Sequence, residues 1–173
     1  MIDHISINAS NPEASKAFYA AALEPLGYRI VMEHGPVVGM GAPSPNAPKD
    51  APIPPDLWIV PAESPTPCHI AVSASSSEQV DAFHRAATAA GGADNGEPGE
   101  RPHYHPGYYG AFVLDPDGNN LEAVCRVTSA KDLPKRPAIR QTVKAIRSSA
   151  SRNAESVPRQ LGDSTVRRSP ETR

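Results

Sequence analysis

The chain contains two copies of one sequence pattern, separated by a constant offset of 65 residues, as from His4 to His69. The segment 3–27 is echoed by the segment 68–92. The matched pairs are His4/His69, Ile5/Ile70, Ile7/Val72, Ala9/Ala74, Ser10/Ser75, Glu13/Glu78, Ala17/Ala82, Phe18/Phe83 and Gly27/Gly92. Because the match spans a strand pattern, a helix pattern and a helix stop, it predicts two copies of one supersecondary unit.

Each copy begins with a strand pattern and continues as a helix. Residues 2–9 alternate apolar and polar side chains, which is typical of a half-buried strand. Ser10 with Glu13, and again Ser75 with Glu78, have the spacing of a capping box, which predicts helix starts there. Further strand patterns follow each helix, so each unit is predicted as βαβββ and the chain as an α+β fold. These later strands are predicted at 28–33, 37–40, 57–60, 93–99, 108–114 and 120–126.

Charge divides the chain into an acidic part and a basic part. Residues 1–127 hold 6 Lys and Arg against 15 Asp and Glu, a net charge of −9. Residues 128–173 hold 11 against 4, a net charge of +7. The second part lacks long apolar periodicity, so it predicts a basic, disordered tail. The first part predicts one domain built from module 1–62 and module 67–127.

Composition also favours a cytoplasmic protein. No stretch approaches the ~20 apolar residues of a membrane span, and the first residues lack a secretory signal pattern. The two cysteines, Cys68 and Cys125, do not make a disulfide framework. We therefore expect no membrane partner, and the acidic domain gives no support for nucleic-acid binding.

The repeated histidines and one glutamate form a candidate metal site. His4 and His69 occupy equivalent strand starts, and Glu122 lies inside an apolar strand, where an ionised carboxylate is costly unless paired or coordinated. If the two units face each other, these three side chains converge. Two imidazoles and one carboxylate suit a divalent metal such as Fe²⁺, Mn²⁺, Zn²⁺, Ni²⁺ or Co²⁺, with positions left open for substrate. The alternative is that each histidine is only a polar residue at a strand start.

Four motifs carry a resemblance to a known family. They are Asp3-His4-Ile5, Cys68-His69-Ile70-Ala71-Val72, Asp115-Pro116-Asp117-Gly118-Asn119 and Leu121-Glu122-Ala123-Val124. With them, the segment 1–126 resembles the vicinal oxygen chelate superfamily, which contains glyoxalases, bleomycin-resistance proteins and extradiol dioxygenases. The resemblance implies two βαβββ modules that pair into a cupped, incompletely closed mixed β-barrel with the helices outside. It also implies one metal ion and substrates that chelate the metal through two oxygen atoms.

Position 58 departs from one branch of this superfamily. In glyoxalase I the first module supplies a further glutamate from its last strand, and Trp58 takes that place here. This departure argues against a lactoylglutathione lyase. The set His4, His69 and Glu122 is more similar to the two-histidine, one-carboxylate arrangement of the extradiol dioxygenases. Trp58 is either a pocket wall that stacks on a ring-bearing substrate or a core residue.

A second concentration of polar and aromatic residues lies in the segment 99–109. We expect this segment to cover the mouth of the cup, where Tyr104 and His105 are candidates for acid–base catalysis. Arg101 is a candidate for holding an anionic substrate, and Tyr109 for contacting it. The alternative is a proline-stiffened aromatic loop that only packs over the end of the barrel.

The resemblance and the candidate site predict a metal-dependent enzyme: a lyase, an isomerase or a ring-cleaving dioxygenase acting on a small oxygen-chelating organic molecule. The alternative is a bleomycin-resistance-like protein that binds a small molecule without turnover. The sequence leaves open whether the modules pair within one chain or are exchanged in a homodimer. In an exchanged dimer, His4 would come from one chain, and His69 and Glu122 from the other.

Overall fold

A computed structural model describes residues 2–44 and 46–126. The described residues belong to one compact unit, 1–135. The elements of module 1 are β1 (Ile5–Ala9), α1 (Pro12–Leu23), a 3₁₀ turn (Glu24–Leu26), β2 (Arg29–His34), β3 (Val37–Gly41) and β4 (Leu57–Pro61). Those of module 2 are β5 (His69–Ser73), α2 (Ser77–Ala89), β6 (Ala93–Glu100), β7 (Tyr108–Leu114) and β8 (Asn120–Arg126).

The described residues bear on the expected absence of a membrane span but not on the predicted tail. The predicted tail, 128–173, lies outside the described residues, so the proposed domain boundary stays a prediction. Among the described residues, neither helix has the length and apolar character needed to cross a bilayer.

The strands form two four-stranded mixed sheets, one in each module. Sheet 1 has the order β1-β4-β3-β2, and sheet 2 has the order β5-β8-β7-β6. In each module the first and last strands pair in parallel, and all other neighbours pair antiparallel. Within the described residues the two sheets do not close into a barrel. This arrangement confirms an α+β fold of two βαβββ modules that form an open cup.

Both helices begin one residue later than the capping-box pattern predicts. The side chain of Asn11 accepts a hydrogen bond from a backbone N–H in the first turn of α1, at 3.2 Å. Ser76 does the same for α2, at 3.3 Å. Ser10 and Ser75 are therefore not the N-caps. Because both starts shift together, the repeat offset is kept.

The strand register makes Trp58 the equivalent of Glu122. In the parallel pairs, Ser6 lies opposite Trp58 and Ala71 lies opposite Glu122. Since Ser6 and Ala71 are separated by the repeat offset, the predicted correspondence is confirmed. Trp58 is half-buried and packs over Gly39, where a Cβ atom would lie 3.0 Å from the indole ring. Only glycine fits at that place.

The two modules pack through their helices and share one continuous core. Phe18 of α1 lies against Gly92 of module 2, where a Cβ atom would lie 2.8 Å from the Phe18 ring. The largest fully buried apolar and aromatic side chains come from both modules: Tyr19, Phe18, Phe83, Ile7, Leu23, Met40, Ile59, Leu121, Val80 and Val113.

The hairpin turn between β7 and β8 joins the two modules. Gly118 supplies the positive φ of 83° that this turn requires, as its sequence predicts. Asp115 accepts a hydrogen bond from the hydroxyl of Tyr19, at 2.7 Å. Asp117 accepts hydrogen bonds from the backbone N–H and the hydroxyl of Ser10. The turn of module 2 is thereby fixed to the start and the middle of α1.

Candidate functional site

A buried carboxylate lies at the centre of the open face of sheet 2. Glu122 is 2% exposed, and its neighbours Leu121 and Ala123 face the core on the other side of β8. Its Oε2 atom lies 3.2 Å from Nε2 of His69. Its Oε1 atom accepts a hydrogen bond of 2.5 Å from the hydroxyl of Tyr108. Both carboxylate oxygens therefore have polar partners on the open face.

The ring of His69 is held by a chain of side-chain amides. Its Nδ1 atom lies 2.6 Å from Nδ2 of Asn120, which is its direct neighbour in the parallel pair of β5 and β8. The Oδ1 atom of Asn120 accepts a hydrogen bond of 3.0 Å from Nδ2 of Asn95 on β6. These contacts direct the Nε2 atom of His69 toward Glu122.

Aromatic rings cover the same face beside the carboxylate. Phe112 is stacked with His69, with ring centroids 6.3 Å apart. The guanidinium of Arg101 lies over the Phe112 ring, 5.5 Å from its centroid. Its Nη2 atom donates to the carbonyl oxygen of Glu97 at 2.7 Å. Phe112 is 8% exposed, and its ring supports His69 and the guanidinium of Arg101, which offers a positive charge beside the carboxylate face.

The two candidates for acid–base chemistry lie one ring away from the carboxylate. Tyr104 and His105 contact the ring of Tyr108 edge-on, with centroids 5.1 and 5.0 Å apart. Tyr104 is 56% exposed, so it is also open to solvent or to a bound molecule. Burial raises the pKa of Tyr108 from 10.0 to about 12, and its hydrogen bond to Glu122 adds to the effect. Tyr108 therefore stays protonated throughout the neutral range and donates a hydrogen bond to Glu122.

The side chain of Tyr109 lies on the face of sheet 2 opposite to the face that carries Glu122. It is 4% exposed, and its hydroxyl donates to Asp81 of α2 at 2.8 Å. The Tyr109 side chain, expected to contact substrate, therefore faces α2, and Tyr108 faces Glu122, because successive side chains of a strand alternate between its faces. Tyr108 and Phe112 were not predicted to lie beside Glu122, although their spacing of four residues on β7 places both on one face of that strand.

The module 1 side of the predicted site is arranged differently. His4 is exposed on sheet 1, and its Nδ1 atom lies 2.8 Å from Oδ1 of Asp3. Just before β4, Asp56 accepts a hydrogen bond of 3.2 Å from the hydroxyl of Tyr28. Burial raises the pKa of Asp56, and the bond from Tyr28 partly offsets this. The Trp58 ring covers the adjoining surface of sheet 1.

A protein-family comparison bears on this arrangement. The family model described as "Glyoxalase/Bleomycin resistance protein/Dioxygenase superfamily" matches residues 1–123, which is well over half of the chain. The chain belongs to this superfamily. None of the curated proteins compared with the chain matches it.

Solved structures of superfamily proteins share the fold. A glyoxalase/bleomycin resistance protein from Albidiferax ferrireducens T118 is 29% identical, with a TM-score of 0.56, over 70% of this chain and 94% of that one. A family enzyme from Burkholderia phytofirmans PsJN is 16% identical, with a TM-score of 0.54, over 73% and 98%. A glyoxalase I mutant from Zea mays is 20% identical, with a TM-score of 0.52, over 70% of this chain and 45% of that one. The latter two likenesses concern the fold alone.

One chain of this superfamily member brings together two of the three predicted ligands. His69 and Glu122 are in contact, and an imidazole with a carboxylate suits a divalent metal. His4 is not with them: across residues 2–44 and 46–126, no group of three or more His, Cys, Asp or Glu side chains is placed to hold a metal ion. The pair of His69 and Glu122 therefore supplies two donors of the kind that a metal site uses.

Proposed function

We propose that this protein is a metal-dependent enzyme of the glyoxalase or dioxygenase type, acting on a small oxygen-chelating organic molecule as a lyase, an isomerase or a ring-cleaving dioxygenase. The observation that carries the proposal is the contact between the buried Glu122 and His69 on an open sheet face. Among the described residues, no Lys or Arg side chain forms an ion pair with Glu122. A buried carboxylate is costly unless it is hydrogen-bonded, paired or bound to a cation, and a metal beside His69 would add that positive charge.

The metal ligands in this proposal are His69, Glu122 and the His4 of a second copy of the chain. His4 is exposed on sheet 1, so it is free to meet the open sheet face of another molecule. Fe²⁺, Mn²⁺, Zn²⁺, Ni²⁺ and Co²⁺ all suit this ligand set. Such a metal would supply Lewis-acid polarisation of the substrate's oxygen atoms.

The remaining residues of the face bind the substrate and handle protons. Tyr108 keeps its proton and fixes one oxygen of Glu122. Phe112 supports the rings of the face from below, and Trp58 offers a flat surface for a ring from sheet 1 of the second copy. Arg101 holds an anionic group of the substrate. From the loop above Tyr108, Tyr104 or His105 donates a proton to a substrate oxygen or accepts one from it.

A binding protein without turnover is the second candidate. The aromatic face of sheet 2 and the incomplete ligand set within one chain both favour it. Such a protein would enclose a small aromatic compound between rings and would need no metal. Metal binding separates the two candidates.

The first test is the metal affinity of the Glu122→Ala variant. After anaerobic reconstitution we expect the parent to bind metal and Glu122→Ala to bind it at least about 10-fold more weakly, because a ligand is lost. Glu63→Ala, at an exposed loop position, is the matched control and should bind like the parent. Circular dichroism checks that the fold is kept.

The outcome also selects between the two functions. Binding below about 0.1 metal per chain by the reconstituted parent would favour the binding protein. If metal binds, oxygen uptake with catechols and isomerisation of α-keto hemithioacetals distinguish dioxygenase from isomerase or lyase chemistry. Unchanged affinity in Glu122→Ala would remove Glu122 from the site.

A further inference from the structure

The two histidines have neighbours that correspond through the duplication. In sheet 2, His69 pairs with Asn120 across the parallel strands, and Asn120 contacts its Nδ1 atom at 2.6 Å. The next pair along these strands is Ile70 with Leu121. A side-chain amide thus stands beside the histidine at the first position of the strand pair.

In sheet 1 the same position is taken by an acid. Ile5 pairs with Leu57, as Ile70 pairs with Leu121, so the residue beside His4 is Asp56. The backbone N–H of Ile5 donates to the carbonyl oxygen of Asp56 at 2.9 Å, which fixes this neighbourhood. Asp56 is therefore the counterpart of Asn120.

Asp56 has one buried oxygen atom that lacks a partner. Its Oδ2 atom accepts from the Tyr28 hydroxyl, as Oδ1 of Asn120 accepts from Asn95. Its Oδ1 atom is shielded from solvent and accepts no hydrogen bond from any described residue. Buried acceptors are rarely left without a donor, so each such atom calls for an explanation.

The strand register offers His4, the residue before Ile5, as the donor for this acceptor. His4 uses its Nδ1 atom on Asp3, whose side chain is 95% exposed, while the His4 side chain is 56% exposed. An exposed pair of this kind is weak and exchanges easily. A metal at the Nε2 atom of a histidine requires the proton on Nδ1, where a carboxylate commonly accepts it.

We propose that Asp56 is the positioning residue of His4: in the metal-loaded dimer, the Nδ1–H group of His4 donates to Oδ1 of Asp56, and Nε2 faces the metal. The inference rests on the proposed function and deepens it. It assigns an anionic partner to one histidine ligand, whereas the other histidine has the neutral Asn120. For His69 the same tautomer requires the Asn120 amide to turn its oxygen toward Nδ1.

The test is Zn²⁺ affinity measured by chelator competition on the full chain. Asp56→Ala should weaken it about 10- to 100-fold, and Asp56→Asn by less, because the amide oxygen still accepts. Asp3→Asn should leave the affinity unchanged, since Asp3 is not the partner in the loaded state. Tyr28→Phe removes the other hydrogen bond of Asp56, and it should also leave the affinity unchanged, so it controls for local structural damage.

A spectroscopic readout separates positioning from simple loss of structure. In ¹⁵N-histidine spectra of the Zn²⁺-loaded parent, we expect a protected Nδ1–H proton on His4 that Asp56→Ala exposes to rapid exchange. An Asp56→Ala protein with parent affinity, or an Asp3→Asn protein that loses affinity instead, would overturn the assignment. If His4→Ala and Glu122→Ala weaken binding while Asp56→Ala does not, only this inference fails. If those two ligand variants also bind like the parent, the proposed function fails.

Discussion

One phenol–carboxylate contact dominates the open face of sheet 2. The hydroxyl of Tyr108 donates to Glu122 at 2.5 Å, and the carboxylate is 2% exposed. A hydrogen bond to a charged acceptor is stronger than one between neutral groups, and burial strengthens it further. The same burial raises the pKa of Tyr108 to about 12. Tyr108 is therefore suited to hold Glu122 in one orientation and is unsuited to act as a base at neutral pH.

Tyr108→Phe should change the alkaline stability of the protein. Because the pKa is raised from 10.0 when unfolded to about 12 when folded, protonated Tyr108 stabilises the fold fully below pH 10. That contribution is lost as the pH rises from about 10 to about 12. The free energy of unfolding in urea should therefore fall more steeply in the parent than in Tyr108→Phe over this range. The same pair compared near pH 8 gives the baseline, and parallel curves would contradict the prediction.

At the residue scale, alternation along strands predicts much of the site. His69 and Glu122 lie within strands whose apolar neighbours fix the phase, so their common face follows from the sequence. The faces taken by Tyr108 and Tyr109 were not predicted, because both were treated as part of an aromatic loop, and alternation holds only within a strand. The contact of Asn120 with His69 depends on the register between distant strands, which one sequence does not specify.

At the element scale, the β7–β8 turn of module 2 is hydrogen-bonded to module 1 and holds the two modules together. Asp117 accepts from Ser10, which explains why Ser10 is not the N-cap that its local pattern predicts: its hydroxyl has a partner 107 residues away. Local patterns predicted both helices and the turn, since capping and turn chemistry act within a few residues. They did not predict the link between them, because it depends on tertiary packing.

Tyr19→Phe should weaken this connection between the β7–β8 turn and α1. Tyr19 is 0% exposed, and its hydroxyl donates to the buried Asp115 at 2.7 Å. Removing a hydrogen bond to a buried carboxylate costs about 1–3 kcal/mol of unfolding free energy. Tyr28→Phe is the matched control, because its bond to Asp56 is longer, at 3.2 Å, and only partly buried. Urea unfolding measures both variants. A smaller loss of unfolding free energy in Tyr19→Phe than in Tyr28→Phe would contradict the prediction.

At the scale of the whole molecule, each chain carries the predicted metal ligands on two separate sheets. His4 directly precedes β1 of sheet 1, whereas His69 and Glu122 lie in sheet 2, and β1 and β5 are edge strands of their sheets. The helices pack against each other and the β7–β8 turn holds α1, so the interior of one chain is already occupied by its core. In a dimer with two-fold symmetry, sheet 1 of each copy can face sheet 2 of the other, which gives two equivalent sites.

Mixing two defective variants tests this assembly directly. In the exchanged dimer, His4→Ala alone and Glu122→Ala alone each lack a ligand in both sites. A mixed dimer has one doubly defective site and one intact site, so random exchange of subunits should restore about one quarter of the parent's metal content. Light scattering coupled to size exclusion checks that dimers form, and each variant exchanged with itself is the control. A site closed within one chain would recover no metal on mixing, because every chain would still lack a ligand.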